Sequence, residues 1–345
     1  MHASHQSGAV LTTTWAPAMH RPSFRPWLIA PLMLPLLSGP ALAQSSIKIG
    51  GMVDVGVYRD AGKTWNVGTI QRSNLAFTGT EDLGGGLTAF FNLSTRFDID
   101  TGTLEDGPAR GKPFWHGEST LGVKGAFGSL KAGRALDAMW ANDWYFDPWY
   151  NFNRIASPAW DLWHYNFPSD PRANSGRAEY GRLDNGLFYD SPVMGGFSLH
   201  ASGSPEKREG DTRRPLGVAL KYAAGPVLAM VAREKNSAGA SDTFVGVKGT
   251  VGPLALMGAY DLSKTPDATS KAKAVTLGVQ YTVGAWTLNG GWGQVDVDGV
   301  KAQKTVSTGV VYALSKRTNV YADLAHKTFV DDSVNVYGVG IAHSF

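Results

Sequence analysis

From Ser46 onward the chain alternates apolar and polar residues in short runs. In the first run Ile47, Ile49, Val53, Val55 and Val57 share one face and Lys48, Asp54 and Tyr58 the other, the two-residue period of a strand between unlike surroundings. The pattern recurs at Leu75/Phe77, at Leu87/Ala89/Phe91/Leu93, and in thirteen further runs from His116–Lys124 to Asn335–Phe345. About sixteen strands are predicted, an even number with no helix between them. Short Gly- or Pro-rich connections, such as Gly125 to Gly128 and Gly252-Pro253, alternate with longer polar ones, such as Ile99 to Pro113 and Pro205 to Arg214. The fold class predicted from this rhythm is all-β: a transmembrane antiparallel up-and-down β-barrel with short turns at one end and long loops at the other.

Aromatic residues support that reading. Tyr189, Tyr222, Tyr260, Tyr281, Trp292, Tyr312 and Tyr337 are predicted near strand termini in phase with the apolar face, as a girdle at lipid headgroups requires. In the last run Tyr337, Val339, Ile341, His343 and the terminal Phe345 alternate. Tyr337 and Phe345 are therefore candidates for anchoring the strand that closes the barrel.

Ala135 to Tyr180 breaks the rhythm. This stretch is too long for a connection without a role, and too aromatic for disorder. It carries the candidate aromatic site residues Trp140, Trp144, Trp149, Tyr150, Trp160 and Trp163, interleaved with the acidic candidates Asp137, Asp143, Asp147 and Asp161.

Composition narrows the possibilities. The 345 residues include 42 glycines and no cysteine, so thiol chemistry, disulfides and thiolate metal sites are excluded. Arg21 and Arg25 precede the apolar run Trp27 to Leu37, and Ala41-Leu42-Ala43 supplies a small-x-small cleavage pattern. Residues 1–43 therefore read as an export signal, with Met19 as an alternative start and residues 44–345 as the mature chain. The chain has 32 basic and 29 acidic residues; without Arg21 and Arg25 the mature part has 30 against 29, a balance that points away from nucleic acid.

Five segments then resemble the general bacterial porins of Gram-negative outer membranes, particularly the type common in β-proteobacteria: SNLAFTGTEDLGGG (Ser73 to Gly86), GVKGAFGSLKAGR (Gly122 to Arg134), NGLFYDSPVMGGF (Asn185 to Phe197), YALSKRT (Tyr312 to Thr318) and GVGIAHSF (Gly338 to Phe345). They occur in the family's order across almost the whole mature chain. The resemblance implies a homotrimer of sixteen-stranded barrels in the outer membrane, passing small hydrophilic solutes and ions. It also implies that Ala135 to Tyr180 is an inward-folded third loop that narrows each pore. In the family, basic wall residues face acidic loop residues across the constriction. Gly133-Arg134 matches one wall position and Arg182 a second. The third reads Ser73-Asn74 instead of Ser-Arg, which leaves Arg72 or Arg96 to supply the charge. Acidic residues on the loop point towards cations, and the wall arginines, which weigh slightly more, towards anions.

No enzyme is predicted, and no cofactor. Glu81-Asp82-Leu83-Gly84-Gly85-Gly86 lacks the Gly-Lys-Ser/Thr of a phosphate loop, no Gly-x-Ser-x-Gly elbow is present, and no two mature-chain histidines have metal-ligand spacing. His326 near Asp331-Asp332 is the remote case for a barrel hydrolase, read here as a short acidic loop. The main alternative to a general sieve is a channel that prefers sugars or aromatic acids, since aromatic side chains can stack on either.

Overall fold

The computed structural model describes residues 46–105, 112–170 and 181–345. The predicted export signal, and the end of the predicted Ala135 to Tyr180 loop, lie outside these ranges. The described chain is one closed antiparallel sheet. Its strands are β1 (Ser46–Arg59), β2 in two pieces (Trp65–Gly68 and Asn74–Gly84), β3 (Leu87–Arg96), β4 (Glu118–Gly125), β5 (Gly128–Leu136), β6 (Arg182–Asp190), β7 (Phe197–Gly203) and β8 (Leu216–Ala224). The second half comprises β9 (Val227–Lys235), β10 (Ser241–Val251), β11 (Leu254–Lys264), β12 (Lys271–Val283), β13 (Trp286–Val297), β14 (Val300–Ala313), β15 (Thr318–Phe329) and β16 (Ser333–Ser344).

Both pieces of β2 pair with β1, Trp65–Gly68 with its end and Asn74–Thr80 with its beginning, so they form one barrel strand and the total is sixteen. Every other strand pairs with its sequence neighbours, and β1 pairs with β16 from Met52↔Ser344 to Arg59↔Tyr337. Backbone bonds between Gly51 and Phe345 in both directions extend that seam, leaving neither strand with a free edge there.

Burial follows the two-residue period. β8 and β12 alternate exposed Leu or Val with buried Ala or Gly, and Leu256, Leu277, Leu324 and Val339 are exposed on the outer face. An apolar outer face beside a small or polar inner one is the arrangement a barrel needs in lipid. Aromatic pairs mark the short-turn end, Phe197 with Tyr222 at 4.8 Å and Trp286 with Tyr312 at 4.5 Å. Tyr337 meets Trp65 at 5.5 Å near the opposite end. Trp292 departs from the predicted girdle. It pairs with Leu277 and Val306 in the middle of β13, because that strand runs on to Val297. His343, the polar member of the last strand's outer face, is satisfied by the Thr318 hydroxyl at 2.9 Å.

The alternation of loop lengths is only partly as predicted. Turns at one end are uniformly short, but connections at the other range from the long β5–β6 segment to the two-residue Asp298-Gly299 hairpin between β13 and β14, where both residues have positive φ.

Candidate functional site

The segment between β5 and β6 is built from turns. A 3-10 turn, Asp143–Phe146, is followed by Tyr150 and Asn151, both at positive φ, and then by a short helix, α1 (Pro158–Leu162). Ser157 caps α1 by accepting the Trp160 N–H at 3.1 Å, with Pro158 at the first helical position. Asp147 organises the middle of the segment. Its carboxylate accepts the amides of Trp149, Asn151 and Ala159 and the Ser157 hydroxyl. Burial pushes its pKa up to about 6 against those four hydrogen bonds, which act to lower it.

This segment lies against the small-residue face of the wall, on the opposite side from the exposed apolar rows. A Cβ at Gly246 of β10 would sit 2.5 Å from the Phe146 ring, and one at Gly278 of β12 would sit 2.5 Å from the Pro148 ring. Only glycine permits that approach. Polar contacts fix the segment laterally. The Trp149 indole and the Asn153 amide donate to Asp323 of β15 at 2.8 and 2.7 Å, the Trp163 indole donates to Thr276 of β12 at 3.2 Å, and Lys327 of β15 pairs with Asp161 at 2.5 Å. The Met139 amide donates to Glu234 of β9 at 2.8 Å. Asp137 accepts from Ser169 and from the Trp140 amide. Asp143 meets His164 at 2.8 Å. All four acidic candidates are thus engaged in folding or seating the segment.

The opposite arc of the wall carries the arginines. Between the two pieces of β2, the Asp54 carboxylate of β1 takes the Ile70 and Gln71 amides at 2.7 and 2.8 Å, while its backbone exchanges hydrogen bonds with the Ser73 hydroxyl. Those bonds replace ladder pairing lost at the interruption and present Arg72. Its guanidinium lies 4.0 Å over the Phe152 ring. Arg96 ends β3 and contacts Glu105 at 3.4 Å; Arg154 approaches the same carboxylate at 2.9 Å. Burial acts to raise the Glu105 pKa, but Arg96, Arg154 and Arg72 outweigh it and hold the carboxyl well below its usual range. Arg182 opens β6 and donates to the Gly117 carbonyl at 2.6 Å.

Two cavities meet at these residues. One, of about 540 Å³ on the loop side, is lined by Trp140, Trp144, Trp160 and Trp163 as well as by Arg72, Arg96 and Arg182. The other, of about 440 Å³, is lined by Met52, Asn74, Ser94 and Glu118 towards the short-turn end. Arg72, Arg96, Arg182, Leu136 and Phe152 line both, so they stand at the neck between them.

The candidates thus separate. Arg72, Arg96 and Arg182 converge; Arg134 does not line either cavity. It sits in a bulge between Gly133 and Ala135, where its guanidinium donates to Asp184 at 2.5 Å and to the His116 carbonyl at 3.0 Å. Trp149 is seated in the wall, whereas Trp144 stacks on Tyr145 at 3.7 Å with its edge towards Tyr150. Phe152 was not singled out from the sequence. Its aromatic character was visible, but its place under Arg72 depends on the positive-φ turn before it.

A family profile described as Gram-negative porin matches residues 30–332. Outer membrane porin protein 32 of Delftia acidovorans is 29% identical over 84% of this chain and 85% of that protein. An outer membrane porin protein of Bordetella pertussis is 26% identical over 92% of this chain and 99% of its own. Among solved structures, an anion-selective porin from Comamonas acidovorans has the same fold, with a TM-score of 0.74, 24% identity and coverage of 88% of this chain and 100% of that one. The closed sixteen-stranded barrel, the lipid-compatible outer face and these similarities agree: the chain belongs to the Gram-negative porin family and is a passive diffusion channel of the outer membrane.

Proposed function

We propose that the β5–β6 segment is the constriction of this porin and that the channel prefers small anions. The observation that carries this reading is the neck itself. Arg72, Arg96 and Arg182 border both cavities, while Asp137, Asp143, Asp147 and Asp161 are bound into the loop and its seat. Permanent positive charge at a narrow, partly desolvated point favours anion entry more than the same charge in open water. The Comamonas relative, described as anion-selective, gives the same sign. Reversal potentials in a KCl gradient across a planar bilayer test the sign. The wild type is expected to pass chloride preferentially, and Arg72→Ala/Arg182→Ala to lose most of that preference. Cation preference in the wild type sinks the reading.

A second reading follows from the tryptophans. Trp140, Trp144 and Trp160 border the loop-side cavity together with the arginines, a combination suited to aromatic carboxylates, whose ring stacks while the carboxylate meets a guanidinium. Saturable current block by benzoate, weakened in Trp144→Ala and unchanged in Trp149→Phe, is the expected result. Absence of block leaves the general sieve.

A homotrimer is the proposed assembly, in line with a fold neighbour described as a trimer form of OmpT from Vibrio cholerae (TM-score 0.62, 14% identity). Conductance steps in threes and slow migration of unheated protein are expected. Residues 1–43 are proposed as the cleaved export signal, testable by N-terminal sequencing of the mature protein.

A further inference from the structure

His164 lies in the β5–β6 segment at positive φ, and its ring is enclosed by three carboxylates from three elements. Nε2 is 2.8 Å from Asp143 Oδ2, in the same segment. Nδ1 is 2.6 Å from Asp242 Oδ2 on β10 and 3.1 Å from Asp261 Oδ2 on β11. All four side chains are buried to within about one per cent. One imidazole can carry at most one positive charge, so with the three carboxylates ionised the cluster holds an excess of buried negative charge.

A second observation points to what balances it. Asp143 Oδ1, Asp242 Oδ1 and Asp261 Oδ2 are removed from solvent, and none accepts a hydrogen bond among the described residues. Buried carboxylate oxygens rarely stay without a partner. Asp261 is partnered through its other oxygen, which accepts the His164 amide at 3.1 Å, leaving Oδ2 beside Nδ1.

We propose that His164, Asp242 and Asp261 bind a divalent transition-metal ion of the zinc type. His164 Nδ1 and one oxygen from each aspartate are the ligands, with water or a second carboxylate oxygen completing the shell. The donor atoms already lie within 4.8 Å of one another. One nitrogen and two carboxylates suit zinc, and the mixed set disfavours magnesium or calcium, which take oxygen alone. Asp143 is the positioning residue. By accepting a hydrogen bond from Nε2–H it leaves Nδ1 with a lone pair facing the two wall carboxylates, the outer-sphere arrangement usual for a metal-bound histidine. Any proton on Nδ1 leaves to solvent as the ion binds. Asp143 and His164 also border the loop-side cavity, which provides an entry path. The ion would tie the segment to two adjacent strands, β10 and β11, whether or not the channel has the selectivity proposed above.

The test uses folded full-length barrel in detergent, dialysed against EDTA and then titrated with Co2+ or Zn2+. Saturable uptake of Co2+ with a visible ligand-field band, displaced by Zn2+, is expected. Asp242→Asn/Asp261→Asn should abolish the band, and Asp143→Asn should weaken binding by about 10–100-fold. Heat-modifiable gel migration confirms that each variant is folded. X-ray absorption on zinc-loaded wild type requires no variant, and one imidazole nitrogen among oxygens is expected in the first shell. No uptake, uptake unchanged in the double variant, or an all-oxygen shell overturns the proposal.

Discussion

The two arcs of the barrel wall solve different problems with the same strand geometry. From β9 to β16 the inner face is a socket, with glycines opposite Phe146 and Pro148 and single polar groups, such as Asp323 and Thr276, placed to meet one indole each. From β1 to β6 the inner face carries Arg72, Arg96 and Arg182 where the two cavities adjoin. The socket fixes where the loop sits; the arginine arc borders the two cavities. Seating the acidic loop residues in structure has an electrostatic consequence. Asp161 gains the Lys327 ammonium and Asp147 four donors, while Asp143, with Asp242 and Asp261, adds to the buried negative charge around His164.

Substitutions on either arc should therefore have different signatures. The largest effect is expected from Asp323→Ala, which strands the Trp149 and Asn153 donors in a buried site and weakens loop seating by about 2–4 kcal/mol. Faster proteolysis within the loop and a larger, noisier conductance should accompany it, and an unchanged cleavage rate would show that Asp323 does not seat the loop. Gly278→Leu forces a side chain into the space of Pro148 and should cost about 1–3 kcal/mol through overpacking, with the barrel still resistant to denaturant. A third test concerns pH. Asp147 has its pKa raised from 3.8 to about 6, so the seated loop binds its proton more tightly than the released one. Loop stability should be full below the ordinary value, decline as pH rises through this window, and level off above about 6. Hydrogen exchange at the Trp149 and Asn151 amides, corrected for intrinsic rate, would show this; protection rising over the same window would contradict it.

Strand number, the closing role of the last strand and the position of the long loop were legible because each is a local pattern: alternation, a terminal aromatic, an absent period. The neck was only half legible. Arg182 and Arg96 end or begin strands, where phase predicts their direction. Arg72 sits in an interruption held open by Asp54, which accepts the Ile70 and Gln71 amides sixteen and seventeen positions later, a pairing no period announces. The bulge after Gly133 shifts the register at Arg134, a displacement that alternation alone does not announce. The His164 cluster was invisible for another reason. Its partners Asp242 and Asp261 come from strands far along the chain and meet it only where the loop packs against the wall, which no local spacing reveals.

The seam between β1 and β16 sets the timetable of assembly. Gly51 and Phe345 lie in the first and last strands of the barrel, so the cylinder cannot close until both are in place. Pairing at such separation is slow. The loop's main anchors, Glu234, Thr276 and Asp323, belong to strands made before the final one. An unfinished barrel can therefore already hold its loop against the wall before the seam between its first and last strands is sealed.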